Sequence, residues 1–317
     1  MENREKTKVV VIGGGHGQSV ILQGLKNVED ISLSTIVTVA DDGGSTGRLR
    51  RSMNLPGMGD VRNVMVALSD EAELMCRLMD YRFEGDEEDV GGHSLGNLML
   101  SALTEDSGNF LSAISELSRI LRVKGKVIPS TTQVVTLCAR MDDDTIVRGE
   151  SNIPLNDNRI EEVFYQEDVS ATKEAIEAVN EANYLIFGIG SLYTSILPNV
   201  IIPDLRQAIL DSKAKRIYLC NVMTQHGETD NYSLEDHVEA IEKHLKGRLD
   251  VVISCSDQMP KELLKKYAQQ RSYPVMVRDP SHHFELRRCE LLTYENDWLK
   301  HDPEKIARVL TDLFKGE

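Results

Sequence analysis

The chain has 317 residues, 41% of them hydrophobic and 27% charged, and its formal net charge is −15. No Lys/Arg cluster is long enough to follow a nucleic-acid backbone, which argues against nucleic acid as the main partner. No apolar run approaches the ~20 residues of a membrane-spanning helix, and the five cysteines are scattered. We therefore expect a cytoplasmic protein with reduced thiols, no signal peptide and no contact with membranes.

The first third of the chain alternates strands with helices. Lys8–Ile12 is a β-branched run typical of a buried strand, a helical pattern follows over Gln18–Leu25, and Leu33–Val39 is a second strand. A strand, a helix and a strand within about 30 residues form a βαβ unit, which predicts a parallel sheet. Apolar periodicity then predicts helices over Val61–Leu68, Glu71–Met79, Leu95–Leu103 and Phe110–Leu121.

The middle of the chain has short β-like runs separated by polar turns, which predict a small β-rich insertion near 124–168 or a sheet edge. These runs are Lys126–Pro129, Gln133–Ala139, Thr145–Arg148 and Arg159–Tyr165. The α/β alternation then returns, with helices over 172–182, 204–211, 235–246 and 260–268, strands over Tyr184–Phe187, Arg216–Cys220 and Asp250–Ser254, apolar stretches at Pro274–Val277 and Leu291–Tyr294, and a terminal helix from Pro303. No segment resembles a domain linker, so we predict a single α/β domain over residues 1–317 with a mostly parallel central sheet.

Four glycines and a histidine, Gly13-Gly14-Gly15-His16-Gly17, join the first strand to the first helix. Backbone N–H groups in such a loop, together with a helix N-terminus, favour an anion, most often a phosphate. The loop is not the dinucleotide fingerprint, because the third glycine counted from Gly13 would fall on Gln18, and it has no Walker A lysine. The alternative is a tight turn that only tolerates glycine.

A second polar loop, from Asp41 to Arg48, follows the second strand. An acid at this place can bind ribose hydroxyls, and the adjacent Asp41 and Asp42 could hold Mg²⁺. Gly44 and Ser45 would lie near the ligand, and Arg48 would pair with a phosphate. The alternative is an Asp-Gly turn with a Ser/Thr cap.

Two further loops precede predicted helices. Asp60 either caps its helix or binds a metal or substrate, and Arg62 and Asn63 would face the same pocket. His93 and Asn97 lie where a second glycine-rich loop leads into a predicted helix. Asn97 has a side-chain amide able to bind a base or a sugar. Gly96, inside that helix, costs about 1 kcal/mol relative to alanine and so predicts close approach of a ligand or of another backbone.

After the later strands come Gly190-Ser191 and a polar loop that contains Asn221, Thr224 and Gln225. In open α/β sheets the ligand lies beyond the carboxyl ends of the strands, so all these loops should surround one pocket. Ser191 lacks the Gly-x-Ser-x-Gly elbow of a nucleophile. The sequence therefore favours a polar nucleotide pocket without an evident catalytic nucleophile.

Taken together, these loops closely resemble the gluconeogenesis factor (YvcK-like) proteins. The resemblance spans residues 8 to about 240 and is carried by Val11–Gly17, Asp41–Arg48, Pro56–Asn63, Gly92–Asn97, Gly190–Ser195, Met223–Gln225 and Gly227–Asp230. It implies a Rossmann-like three-layer α/β/α fold and binding of UDP-N-acetylglucosamine. It also implies a regulatory role in cell shape during growth on gluconeogenic carbon sources, with no firmly established reaction.

The wider superfamily includes CofD, the 2-phospho-lactate transferase, which uses a nucleotide diphosphate-linked donor and Mg²⁺. Its functional aspartate matches Asp60, so the alternative function is an Mg²⁺-dependent transferase with Asp60 catalytic and Asp42 and Asp60 holding the metal. His16 and the run from Asp41 to Ser45 depart from the transferase pattern, which puts that activity in doubt.

The chain also departs from the gluconeogenesis factor pattern. Two prolines typical of that family are replaced by Ile189 and His226, and Lys300 stands where members often carry arginine. Lysine keeps the charge but loses the bidentate fork, so we expect retained binding with a weaker phosphate contact there.

The resulting prediction comprises a nucleotide or nucleotide sugar as ligand, NAD as a look-alike ligand, a homo-oligomer, and an unidentified protein partner in cell-wall or cell-shape control. The residues predicted to bind the nucleotide are Gly13, Gly14, Gly15, His16, Gly17, Asp41, Asp42, Gly44, Ser45, Arg48, Arg62, Asn63, His93, Asn97, Gly190, Ser191, Asn221, Thr224, Gln225 and Lys300.

Overall fold

The computed structural model describes residues 6–71, 73–86, 89–279, 281–295 and 298–316. The two ends of the predicted domain, 1–5 and 317, lie outside the described residues, as does Ala72 within the predicted helix Glu71–Met79.

The described residues contain twelve β-strands and twelve α-helices. The strands are β1 Thr7–Gly13, β2 Ile31–Val37, β3 Lys126–Pro129, β4 Leu137–Met141, β5 Ile146–Arg148, β6 Ile160–Tyr165, β7 Tyr184–Phe187, β8 Lys215–Leu219, β9 Val251–Cys255, β10 Glu285–Cys289, β11 Leu292–Glu295 and β12 Trp298–His301. The helices are α1 Gly15–Leu25, α2 Gly44–Met53, α3 Gly59–Leu68, α4 Glu73–Asp80, α5 Leu95–Ser107, α6 Phe110–Ile120, α7 Lys173–Glu181, α8 Leu197–Val200, α9 Pro203–Asp211, α10 Leu234–Leu245, α11 Lys261–Ala268 and α12 Pro303–Lys315. A 3₁₀ helix spans Glu150–Leu155 and a π-helical turn spans Leu192–Ile196.

Seven strands form one parallel sheet in the order β3-β2-β1-β7-β8-β9-β10. The inner strand β1 carries Val9, Val10, Val11 and Ile12, all fully buried or nearly so, because helices flank the sheet. In these helical layers α1 packs against α3 and α12, and α7 packs against α9. The predicted Rossmann-like α/β/α fold with a parallel central sheet is confirmed.

The short β-runs in the middle of the chain are divided between two sheets. Lys126–Pro129 is β3, the edge strand of the main sheet, whereas β4, β5 and β6 form a small antiparallel sheet in the order β5-β4-β6. The hairpin β11–β12 is a third sheet. The strand predicted from Gln133 begins only at Leu137, and β2 begins and ends two residues before the predicted Leu33–Val39.

Helix α2 and strand β10 were not predicted from the sequence. Helix α2 begins at Gly44 inside the Asp41–Arg48 segment. Its glycines and arginines leave too few apolar residues to show a helical spacing in the sequence. Strand β10 has the polar sequence Glu-Leu-Arg-Arg-Cys, which is tolerated because it lies at the edge of the sheet. Within the described ranges, no helix is both long and apolar enough to cross a membrane.

Candidate functional site

A cavity of about 410 Å³ lies beyond the carboxyl ends of β1, β7 and β8. The chain leaves β1 toward β2 on one side and reaches β7 on the other, so this edge is the switch point of the sheet, where open α/β folds bind ligands. The lining residues come from the loops after these strands, from α11 and from the hairpin β11–β12. They are Gly14, Gly15, His16, Gly17, Ile189, Gly190, Ser191, Ser195, Asn221, Val222, Met223, Gln225, Tyr267, Leu292, Leu299 and His301.

Three glycines of the first loop are required by the geometry. A Cβ at Gly14 would lie 2.4 Å from Asp60 Oδ2, and one at Gly17 would lie 2.5 Å from the carbonyl oxygen of Ile189. Gly15 has a φ of +65°, which side chains rarely adopt. Gly13 has no such constraint, because a Cβ there would meet only the Gln18 side chain at 3.6 Å. The loop is therefore more than a turn that tolerates glycine, since it must lie close to Asp60 and to the second glycine loop.

The second glycine loop is held in place by side-chain amides. Gly190 N–H donates to Asn221 Oδ1 at 3.1 Å, and Asn221 Nδ2 donates to the Gly190 carbonyl at 2.8 Å. Ser191 Oγ donates to Gln225 Oε1 at 2.8 Å. These contacts fix the cavity wall opposite Gly15 and His16.

Behind this wall lies Glu228, a carboxylate only 3% exposed. It accepts hydrogen bonds from the Tyr193 backbone N–H (2.9 Å), from Thr194 Oγ1 (3.0 Å) and from Gln225 Nε2 (2.8 Å). Burial raises the pKa of Glu228, and the hydrogen bonds from Tyr193 and Thr194 oppose this rise. The sequence placed Glu228 in a motif but gave it no role; it anchors the start of the Leu192–Ile196 turn to the loop that bears Gln225.

The outer end of the cavity is largely apolar. Tyr267, Leu292 and Leu299 line it, and Tyr267 is fixed because its hydroxyl accepts the Leu299 N–H at 3.1 Å. His301 also lines this end, and its buried Nε2 has no hydrogen-bond partner among the described residues. Burial lowers the pKa of His301 to about 4, so its imidazole is neutral at pH 7. Neither Tyr267 nor His301 was selected from the sequence.

Of the residues predicted to bind the nucleotide, only Gly14, Gly15, His16, Gly17, Gly190, Ser191, Asn221 and Gln225 line the cavity. Thr224 and Lys300 are among those that do not. Thr224 is buried, and its Oγ1 accepts the Tyr273 N–H at 2.9 Å, which ties it to a neighbouring loop. Lys300 is exposed on β12, next to His301. Contacts of either residue with a ligand stay predictions.

Acidic side chains gather on the other side of the first glycine loop. Asp60 is the second residue of α3, so it is not the N-cap that the sequence allowed. Burial, followed by the charge of Asp41, raises its pKa to about 7, although Arg62 and the Gly15 N–H act in the opposite direction. Glu150, which the sequence did not indicate, has its pKa raised to about 8 by burial and by the charges of Asp41 and Asp60, among others.

The carboxylate of Asp42, by contrast, accepts hydrogen bonds from backbone N–H groups. Its two carboxylate oxygens accept the N–H groups of Glu150 (3.0 Å) and Ser151 (2.9 Å), at the start of the 3₁₀ helix. Among the residues that the structure describes, no three His, Cys, Asp or Glu side chains are grouped so as to hold a metal ion. The Mg²⁺ site at Asp42 and Asp60 stays a prediction.

Most remaining candidates from the sequence form a hydrogen-bonded network beside α2 and α5. Ser45 Oγ lies 2.8 Å from His93 Nδ1 and accepts from Asn97 Nδ2 at 3.3 Å, and Arg48 donates to the Gly91 carbonyl. Burial, and then the charge of Arg48, lowers the pKa of His93.

Arg62 belongs to the same network and is only 5% exposed. It donates to Ser94 Oγ at 2.6 Å and to Asn63 Oδ1 at 2.5 Å, and its Nε lies 3.6 Å from Asp80 Oδ1. The sequence predicted that a ligand or another backbone segment approaches Gly96 closely. The close neighbours are Arg62 and Met79, because a Cβ at Gly96 would lie 2.8 Å from Arg62 Cδ and from the Met79 carbonyl oxygen. Gly44 has a φ of +40° and open space around it.

Residues 9–295 match a family profile described as the 2-phospho-L-lactate transferase CofD. The chain belongs to the CofD family. Within that family it is similar to the gluconeogenesis factor of Bacillus subtilis strain 168, with 43% identity across 98% of this chain and 99% of that protein. It is also 43% identical to a putative gluconeogenesis factor of Aquifex aeolicus, across 99% of this chain and 98% of that one. The resemblance to gluconeogenesis factors inferred from the loops is confirmed.

A crystal structure of a UPF0052 family member from Bacillus halodurans superposes on this CofD family member with a TM-score of 0.92. The two are 41% identical, and the match covers 96% of this chain and 99% of that one. The fold derived above is therefore the fold of a solved relative of similar length.

In this CofD family chain, the site combines three neighbouring chemical environments. The apolar end suits a planar ring, with one unpartnered imidazole nitrogen available for a hydrogen bond. The two glycine loops suit a phosphate or diphosphate, and the acidic cluster around Asp60 suits hydroxyl groups or a divalent cation.

Proposed function

We propose that this protein binds a nucleotide sugar, UDP-N-acetylglucosamine, and acts as a regulator of cell shape during growth on gluconeogenic carbon sources. The observation that carries the binding proposal is the cavity between two glycine loops at the switch point of the sheet. Tyr267 and Leu292 give this cavity an apolar surface, and Gly15 and Gly190 give it backbone groups. This combination suits a base and a diphosphate.

A regulatory role is supported by the polar side chains of the cavity, which hydrogen-bond to other protein groups and form no catalytic pair. The Ser191 hydroxyl donates to Gln225 and is not paired with a histidine, and Asn221 is committed to the Gly190 backbone. These groups shape the wall and leave backbone donors to meet the ligand. The names of the B. subtilis and A. aeolicus relatives further support a role linked to gluconeogenic growth.

Calorimetric titration with UDP-N-acetylglucosamine tests the proposal. We expect saturable binding, weaker binding of GDP, and binding of NAD as a diphosphate-bearing look-alike. UDP alone should retain much of the affinity, because the base and diphosphate supply most of the contacts. No heat of binding at millimolar UDP-N-acetylglucosamine would exclude this ligand.

A second candidate is an Mg²⁺-dependent transferase that uses a nucleotide diphosphate-linked donor. The CofD profile supports it, as does Asp60, whose carboxyl group lies against Gly14 and has a pKa raised to about 7. Incubation with candidate donors and Mg²⁺ should then release a free nucleotide, and Asp60→Asn should abolish the release while keeping the shape of the side chain. Binding without any release, with or without Mg²⁺, would favour the regulator.

A further inference from the structure

Two cysteines that are far apart in the sequence lie side by side at one edge of the main sheet. Cys255 is the last residue of β9, Cys289 is the last residue of β10, and the two are register partners in this parallel strand pair. Both are free thiols, and both are partly exposed. The other three cysteines lie on α4, on β4 and directly after β8. The fold therefore brings together two thiols that are scattered in the sequence.

The register suits a covalent bridge between the two side chains. Register partners on neighbouring parallel strands point to the same face of the sheet. Neighbouring strands lie about 4.8 Å apart, and the Cα atoms of a disulfide lie about 4.4–6.8 Å apart. The backbone can also adjust here, because β10 is the edge strand and each cysteine ends its strand. A bridge between Cys255 and Cys289 therefore requires only a small movement of β10 against β9.

The two thiols differ in their surroundings. Cys255 Sγ–H donates to Asp257 Oδ2 at 3.2 Å, and burial, followed by contact with this carboxylate, raises the pKa of Cys255 to about 12. Burial also raises the pKa of Cys289, but the positive charge of Arg287 acts in the opposite direction. Because the thiolate is the nucleophile in disulfide exchange, Cys289 is the thiol expected to react first with an external disulfide. Cys255 is then placed to complete the bridge.

We propose that Cys255 and Cys289 form a reversible disulfide by exchange with a low-molecular-weight disulfide, and that this bridge alters the nucleotide cavity through the hairpin β11–β12. In the first step the Cys289 thiolate attacks the external disulfide, which forms a mixed disulfide and releases one thiol. In the second step Cys255 gives its proton to solvent, and its sulfur attacks the Cys289 sulfur and releases the second thiol. Two protein thiols are oxidised, and one external disulfide is reduced to two thiols.

Asp257 connects the cysteine pair to the cavity. Its Oδ2 accepts the backbone N–H groups of Leu291 at 2.7 Å and of Leu292 at 3.2 Å, in addition to the Cys255 thiol. Leu292 begins β11 and lines the cavity. The bridge removes the Cys255 S–H donor from Asp257 and draws Cys289, two residues before Leu291, towards β9. Both changes act where the hairpin β11–β12 begins.

Treatment of the full chain with oxidised glutathione, without nucleotide, tests the bridge. We expect the mass to fall by about 2 Da per chain, and trypsin without reductant should give residues 249–261 joined to residues 289–300. A reductant should separate the two peptides. Cys289→Ser should form no bridge, whereas Cys76→Ser, at a partly exposed cysteine on α4, should form it like the wild type. Thiols that stay free, stable mixed disulfides without a bridge, or a bridge that survives Cys289→Ser would overturn the inference.

The fluorescence of Trp298 measures the response of the hairpin. Trp298 is the only tryptophan of the chain and lies on β12, with its ring centroid 5.5 Å from that of Tyr267 and 3.7 Å from Lys266 Nζ. We expect oxidation to change its emission in the wild type and in Cys76→Ser, and to leave the emission of Cys289→Ser unchanged. A bridge that forms without a change in emission would refute the link to the hairpin. Circular dichroism of each variant confirms that it is folded.

The effect of the bridge on ligand binding rests on the proposed function. Calorimetry should show that the oxidised protein binds UDP-N-acetylglucosamine about fivefold more weakly than the reduced protein, as expected for one lost hydrogen bond that positions a loop. Reduction should restore the affinity. Equal affinities of the two forms would refute control of the cavity by the bridge. Failure of both forms to bind would instead contradict the proposed function, and the peptide map and the Trp298 emission would still decide the redox inference.

Discussion

The two sides of the first glycine loop are built from similar residues but differ in what those residues contact. On the side of β7 and β8, the Asn221 side-chain amide ties two loops together beside a cavity of about 410 Å³. On the side of β2, the acids, hydroxyls and arginines bond mainly to one another and to backbone, as in Asp42 with Glu150 and Arg62 with Ser94. Polar loops at strand ends therefore serve two purposes here, because some create space for a ligand and others fill it.

The largest effect should come from Gly15, at the centre of the cavity side. Gly15→Val forces a branched side chain into a φ of +65°, which side chains rarely adopt, so the loop and the backbone N–H groups that it presents to the cavity must shift. We expect nucleotide affinity to fall at least about a hundredfold, equivalent to ~2.8 kcal/mol, as measured by calorimetry.

Gly108 is the matched control, because it has the same φ of +65° and a Cβ added there would have nothing within 4 Å of it. Gly108→Val should lose comparable stability and keep its affinity. Equal affinities of Gly15→Val and the wild type would mean that the first loop is only a turn.

The next largest effect tests whether Arg62 stabilises the fold and does not bind the ligand. Arg62→Met keeps the stem that packs on Gly96 but removes the hydrogen bonds to Ser94 and Asn63. The free energy of unfolding should fall by about 2 kcal/mol, as expected for hydrogen bonds from a charged group, with little change in nucleotide affinity. Urea unfolding and calorimetry on the same preparation measure both quantities, and a selective loss of affinity would place Arg62 in the binding site.

Asp60 lies between the two sides, so its ionisation should couple them. With pKa values of about 7 for Asp60 and about 8 for Glu150, both groups gain negative charge as the pH rises. An anionic diphosphate is then repelled, so affinity without metal should fall about tenfold from about pH 6 to about pH 8. The diphosphate of a UDP-sugar keeps its charge over this range, so the change reports on the protein.

Asp60→Asn should remove most of that dependence while preserving the contact with Gly14. In the presence of Mg²⁺ the slope should reverse if the carboxylates bind the metal, because their ionised forms are then required. An unchanged slope with Mg²⁺ would count against the metal site at Asp60 and Asp42.

The smallest effect is expected at Asn221. Asn221→Ala removes both hydrogen bonds that hold Gly190, but in the proposed complex the ligand would meet only backbone there. We expect affinity to fall about fivefold, close to 1 kcal/mol for lost ordering of the loop. Asn221→Asp is the sharper variant, because it keeps the acceptor for the Gly190 N–H but adds a negative charge, and it should bind more weakly than the alanine variant.

Local sequence was enough for those parts of the site that depend on neighbouring residues. The β-branched run at Lys8–Ile12 and the glycines that follow predicted a buried strand and a glycine turn, and the structure places that turn at the switch point. Anion binding by this turn stays a prediction. The family motifs also lie on short segments, so the family could be inferred before any geometry. The central parallel sheet followed from the alternation of strand and helix patterns.

The tertiary structure decided which polar groups remain available. Asp42 is 108 positions from the Glu150 N–H that it accepts, and Thr194 and Glu228 are 34 positions apart. His301 reaches the cavity only because the hairpin β11–β12 lies across the outer end of it. The sequence by itself determined the sheet, the glycine loops and the family, because these follow from local periodicity and backbone freedom. Only the fold decided between cavity-lining and scaffold residues, because burial and hydrogen-bond partners depend on segments that are distant along the chain.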